Sequence, residues 1–114
     1  MNNCIFCKIV AGTIPSRIVY HDEWVTVFHD VNPQAPKHLL VVPNKHIDGV
    51  LDVAEADAAL AARCLLAANQ VARSEGFADS GFRLVVNQGR DGNQTVGHLH
   101  FHILAGRQLS WPPG

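Results

Sequence analysis

The chain has 114 residues, 47% hydrophobic and 17% charged, with a formal net charge of −1 when the histidines are neutral. That length suits one core, so a single domain over residues 1–114 is expected. The balance excludes the basic surface of a polyanion binder, and no apolar run approaches the roughly 20 residues of a spanning helix, so neither a nucleic-acid nor a membrane partner is expected.

Met1-Asn2-Asn3-Cys4 lacks the basic-then-apolar order of a secretory signal, and no strand fits before Cys4. Three cysteines, an odd count, fit a reducing compartment better than a disulfide framework, so a cytoplasmic protein is expected. Residues 5–10 are apolar and stop at Gly12 and Pro15, which predicts a short helix. Residues 17–20 and 24–29 are rich in β-formers around the polar turn His21-Asp22-Glu23, which predicts a hairpin. Asn32-Pro33-Gln34-Ala35-Pro36 reads as a loop, because its prolines fit neither helix nor ladder interior. Residues 39–42, closed by Pro43, read as a buried strand.

Residues 52–75 form the long helix candidate. Asp52 and Glu55 have capping-box spacing, Leu60, Cys64, Ala67 and Val71 recur at three and four, and Gly76 offers a stop. Residues 82–86 read as a strand and 87–95 as a polar, glycine-containing loop. The tail, Ser110-Trp111-Pro112-Pro113-Gly114, carries an exposed aromatic. The order of elements predicts an α+β domain: an antiparallel sheet of about five strands with one long and one short helix.

His98, His100 and His102 alternate with Leu99, Phe101 and Ile103. In a strand the three imidazoles project from one face and the apolar residues from the other. A metal site and nucleophilic catalysis are both open to such a row. A three-histidine zinc centre is disfavoured, because positions 98 and 102 lie roughly 13 Å apart along a strand. In nucleophilic catalysis the middle imidazole attacks while its neighbours bind anionic oxygens or deliver a proton, which suits phosphorus chemistry. The preceding loop can present N–H groups to a phosphate. His38 and Asp30 read as ordinary strand-end polar residues. Cys4-x-x-Cys7 fits a redox pair, half of a zinc site or chance, and Cys64 reads as a small buried helix residue.

His98-Leu99-His100-Phe101-His102-Ile103-Leu104 resembles the histidine triad motif. The resemblance spans nearly the whole chain. Phe28-His29-Asp30-Val31-Asn32-Pro33-Gln34-Ala35-Pro36-Lys37-His38, Val42-Pro43-Asn44-Lys45-His46-Ile47, Val85-Val86-Asn87-Gln88-Gly89, Gly106-Arg107-Gln108 and the Trp-Pro-Pro-Gly tail are similar to the histidine triad nucleotide-binding (Hint) branch. The resemblance implies a HIT-like fold and a homodimer whose sheet continues across the interface. It also implies a site for a purine nucleoside monophosphate and hydrolysis of nucleoside phosphoramidates, with no cofactor required for catalysis. Carried over, His100 is the nucleophile that forms a nucleotidyl-histidine, His102 contacts the phosphate and helps the leaving amine depart, and His38 supports the triad. Asn87 and Thr95 contact the phosphate and the leaving-group side, and Asp30 binds ribose hydroxyls. Ile5, Phe6, Ile9, Phe28, His29 and Val31 line the base and ribose pocket, and Trp111 reaches across the dimer. Members that keep both cysteines resemble a zinc-binding subset. That resemblance implies a structural zinc held by Cys4, Cys7, His46 and His98, and gives His98 to the metal rather than to the phosphate.

Thr95 stands where the family has serine, which keeps the hydroxyl but adds a methyl group. His102 stands where the nucleotidyltransferase branch has glutamine, which favours hydrolysis. Dinucleoside polyphosphate hydrolysis, a nucleotide-binding adaptor role with incidental catalysis, and zinc handling are the competing readings.

Overall fold

The computed structural model describes residues 3–114. Met1 and Asn2, on which the expectation of no strand before Cys4 partly rests, lie outside the described residues. Five strands form one antiparallel sheet in the order β1-β2-β3-β5-β4: β1 Ile18–His21, β2 Val25–His29, β3 Lys37–Pro43, β4 Phe82–Val86 and β5 Phe101–Ala105. Helix α1 spans Ile5–Ala11 and helix α2 spans Ala58–Ser74. This is the α+β arrangement expected from the order of elements. No helix among the described residues is long and apolar enough to cross a membrane.

Side-chain alternation divides the sheet into two faces. Val25, Val27, Leu39, Val41, Ile103 and Ala105 pack against Cys64, Ala67, Ala68, Val71 and Ala72 of α2. The small residues of α2 let the helix lie close to the strands. The intervening positions Phe28, Leu40 and Val42 pack against Phe6 and Ile9 of α1. In the β3–β5 register Leu40 faces His102 and His38 faces Leu104, so both histidines lie on the α1 side of the sheet. Each helix ends as its sequence requires. Gly12 and Gly76 take the left-handed conformation, and the Phe77 N–H bonds back to the Ala72 carbonyl at 2.9 Å.

Three expectations are corrected. The long helix begins at Ala58 rather than Asp52, after two 3-10 turns at Val50–Asp52 and Glu55–Asp57. The carboxylate that acts there is Asp57, which accepts from the Ala54 N–H at 3.3 Å and from Lys45 Nζ at 2.7 Å. The hairpin strands begin one residue later than expected, and β3 begins two residues earlier and runs through Pro43. The histidine row is not one strand, since β5 begins at Phe101. The next odd pair beyond Val41 and Phe101 would set Pro43 against Leu99, but Pro43 has no N–H. The Leu99 N–H donates instead to the Ile47 carbonyl at 2.6 Å.

Ile103 is fully buried between the sheet and α2. Ile103→Ala should destabilise the chain by about 2–5 kcal/mol. Leu51→Ala, at a residue 79% exposed, should stay within about 0.5 kcal/mol. Urea denaturation of the two variants measures both.

Candidate active site and metal centre

The end of the β3–β5 ladder creates the site. The Pro43 carbonyl, released from pairing, accepts from His98 Nε2–H at 2.9 Å. That leaves Nδ1 of His98 with its lone pair toward the cysteines, 3.3 Å from Cys4 Sγ and 3.5 Å from Cys7 Sγ. His46 repeats the arrangement: Nε2–H donates to Asp48 Oδ1 at 2.7 Å, and Nδ1 lies 3.2 Å from Cys7 Sγ. Cys4 caps α1, its sulfur accepting from the Cys7 N–H at 3.4 Å. The donor atoms of Cys4, Cys7, His46 and His98 all lie within 4.8 Å of one another. Two soft sulfurs and two imidazole lone pairs, each imidazole oriented by an oxygen on its far nitrogen, are a donor set that suits zinc.

The other two triad histidines serve a different centre. His100 donates Nδ1–H to its neighbour's carbonyl, His98 O, at 2.7 Å, and its Nε2 is therefore the unprotonated nitrogen. His38 accepts from the Gln34 N–H at Nδ1, 2.9 Å, so its proton sits on Nε2. That Nε2 lies 2.9 Å from His102 Nδ1 and 3.4 Å from Asp30 Oδ2. His102 then accepts at Nδ1 and carries its proton on Nε2, which is buried and has no hydrogen-bond partner among the described residues. Backbone groups thus set two complementary tautomers side by side, a lone pair on His100 and an N–H on His102, with ring centroids 5.0 Å apart.

Burial, with the nearby His100 and His38, pushes the His102 imidazole down to about 4, opposed by Asp30. Burial also lowers His38, again against Asp30. The Asp30, His38 and His102 donors form a second cluster within 4.8 Å, but the His38 to His102 contact is a hydrogen bond, and we read that cluster as a relay.

A cavity of about 300 Å³ opens onto this pair. Its walls include Ile5, Phe6 and Ile9 of α1, Phe28, His29, Asp30 and Val31 from the end of β2, and Thr95, His100 and His102. Every residue expected in the base and ribose pocket lies there. Asn87 lies instead in a recess of about 180 Å³ with Gln34, His38 and His102, so His102 is the wall between the two spaces. His98 is not in the cavity wall, being fully buried, and Trp111 is 81% exposed and also outside the wall. A larger cleft of about 730 Å³, between Lys37, Glu75, Phe77 and Arg107, contains no histidine. Volume alone therefore does not mark the chemical centre.

Reading His38 as an ordinary strand-end residue is overturned, because it is buried and bonded to His102. Cys64, by contrast, is the buried helix residue expected, with burial raising its thiol to about 12. Residue reading missed Ile14, Pro15, Ser16, Leu40 and Val96 of the cavity wall, and Asp48 behind His46. Asp48 had a signal, since a carboxylate two residues from a candidate ligand is a common orienting partner. The wall residues had none.

The model of the HIT domain family matches residues 11–109. An uncharacterized HIT-like protein of Synechocystis is 49% identical over 110 residues, 96% of each chain. A 14 kDa zinc-binding protein of Zea mays is 47% identical over 113 residues, 96% of this chain and 87% of the relative. The crystal structure of a HIT family hydrolase from Legionella pneumophila superposes with a TM-score of 0.96 at 47% identity, covering 98% of this chain and 100% of that one.

His102 should stay neutral, as the Nε2–H tautomer, while the pH falls through 6.5, and should take up a proton only near 4. Nitrogen NMR of the imidazoles measures this. The unfolded chain binds that proton first, so the contribution of His102 to stability is intact above about 6.5 and is lost as pH falls toward the folded value. A His102→Gln variant should show a flatter decline of melting temperature over that interval.

Proposed function

The chain belongs to the HIT domain family, and on that premise we propose that it is a purine nucleoside phosphoramidase of the family's Hint branch. The observation that carries this reading is the paired tautomer of His100 and His102 at the cavity wall. A phosphoryl centre needs a lone pair in line with its leaving group and donors for its oxygens. The Legionella neighbour, described as a hydrolase, supports hydrolysis. The Gly106-Arg107-Gln108 stretch and the Trp-Pro-Pro-Gly tail support the Hint branch.

In this mechanism His100 Nε2 attacks the α-phosphorus and a P–Nε2 bond forms as the P–N bond to the leaving group breaks. The departing nitrogen takes the proton that the bound phosphate draws onto His102 and leaves as an amine, since an amide anion is too basic to depart unaided. His102 Nε2–H donates toward the phosphoryl oxygens and the leaving-group side. A bound phosphate places negative charge beside His102, which raises its affinity for a proton when one is to be delivered. Water then attacks phosphorus and gives its proton to His102, the P–Nε2 bond breaks, and the nucleoside monophosphate is released with His100 restored. Asp30 holds the ribose hydroxyls, Asn87 and Thr95 the phosphate and leaving-group sides, and the α1 and β2 residues the base.

Cys4, Cys7, His46 and His98 would hold a structural zinc, consistent with the zinc-binding name of the Zea mays relative. Bound there, zinc supplies a cross-link between α1 and the segment before β5. Catalysis itself calls for no cofactor. A homodimer continuing the sheet is supported by the edge position of β4, whose Phe82 and Val86 are partly exposed, and by the exposed Leu65 and Leu66 of α2. Trp111 would then reach toward the partner's leaving-group region. A single domain over residues 1–114 and a cytoplasmic location complete the reading.

Adenosine 5′-phosphoramidate should be turned over by the native chain, and His100→Ala, checked for folding, should lose at least about 10³-fold in kcat. A folded native chain that binds adenosine monophosphate without turning over the phosphoramidate would overturn the hydrolase reading in favour of a nucleotide-binding role. For the metal, Cys4→Ser with Cys7→Ser should abolish zinc retention through gel filtration and lower the melting temperature. A native chain that carries no zinc, and whose melting is untouched by chelator, would remove the metal from the account.

A further inference from the structure

The loop between β4 and the histidine segment is built around one side chain. Gln94 Oε1 accepts from the Gly89 N–H at 3.0 Å, and the Gln94 N–H returns a bond to the Gly89 carbonyl at 2.9 Å. Gln94 Nε2 donates to the Asp48 carbonyl at 2.8 Å and to the Val96 carbonyl at 3.1 Å. The amide therefore uses its acceptor once and both of its donor hydrogens. Nearby, Gln88 Oε1 accepts from the Leu51 N–H at 3.0 Å, a second tie between the same two segments. The loop is tight: a Cβ on Gly92 would meet the Gln88 carbonyl oxygen at 2.6 Å, and Asn93 takes a positive φ of 61°.

These bonds surround Thr95. Its chain neighbours, Gln94 and Val96, are both held, and Thr95 lines the cavity with His100 and His102. The side-chain bonds of Gln94 run to Gly89, Asp48 and Val96, none of them in a strand, so they serve the loop rather than the sheet.

We propose that Gln94 is a positioning residue that fixes residues 87–96 as the phosphate-binding loop by clamping them to the Asp48 segment. This rests on the nucleotide-site reading above. The base and ribose pocket comes chiefly from α1 and the end of β2, with Val96 at its edge, so the clamp acts on phosphate far more than on the nucleoside. No other side chain bridges Gly89, Asp48 and Val96 among the bonds of the described residues. Asp48 also orients His46, so one residue anchors the loop and a ligand of the metal centre.

Gln94→Ala removes the clamp. Gln94→Glu keeps an acceptor for Gly89 but turns oxygen toward the two carbonyls, and should be no better. The measurements are the dissociation constants of adenosine and of adenosine monophosphate, kcat/KM on adenosine 5′-phosphoramidate, and hydrogen exchange at the Gly89 amide by NMR. In both variants adenosine affinity should stay within twofold, and the advantage of the monophosphate over adenosine should shrink at least tenfold. The value of kcat/KM should fall 10- to 100-fold, and in Gln94→Ala the Gly89 amide should lose its protection. General destabilisation does not move the adenosine-to-monophosphate ratio. A Gly89 amide still protected in Gln94→Ala, or a deprotected one with the ratio unchanged, overturns the clamp while leaving the nucleotide site standing. A native chain that binds neither nucleoside overturns both.

Discussion

A slip of β5 by one residue against β3 would carry His102 from the cavity wall into the layer beneath α2, away from His38. Side chains alternate with a period of two, so register decides which face every residue serves. The pairing of Leu40 with His102, and of Leu39 with Ile103, places imidazoles on one side and aliphatic residues on the other. The apolar set is wholly buried, and this enforces the register. The hydrophobic packing that stabilises the sheet is also what aims the histidines.

Proton placement on His38, His98 and His100 is set by backbone groups, and on His46 by the Asp48 carboxylate. The Gln34 N–H, the His98 carbonyl and the Pro43 carbonyl each occupy one imidazole nitrogen and so define the other. A neutral imidazole has one donor and one acceptor, and occupying one end assigns both. His98 joins two centres in this way: its ring faces sulfur while its carbonyl holds the His100 ring. The triad is three adjacent uses of one residue type, separated by what lies behind each ring.

Much of this was legible in residue types. The spacing of Leu60, Cys64, Ala67 and Val71 marked the buried stripe of α2, and the turn residues marked the hairpin. Illegible features came from contacts distant in sequence. Asp57, held by the Ala54 N–H and by Lys45, stands just before α2, whereas Asp52, with its better local spacing, lies in a 3-10 turn. His38 looks unremarkable beside Lys37 until the strand four positions after His98 arrives next to it. The lead-in to β5 is irregular because a proline in another strand ends the ladder. Ile14, Pro15 and Ser16 carry no chemical signature, and only folding brings them to a cavity wall. The resemblance to the histidine triad family supplied roles that period and composition left open, notably for His38 and Asp30.

The cluster of Cys4, Cys7, His46 and His98 gathers residues 94 positions apart in the chain. An ion held there would close a loop containing most of the domain, restricting the unfolded ensemble as a long-range covalent bridge does. It also imposes an order on assembly. Helix α1 is made well before the segment that carries His98, and its cap residue meets that histidine only once the 94 positions between them have been bridged. One wall of the cavity is therefore synthesised before the strand that it faces and seated after it.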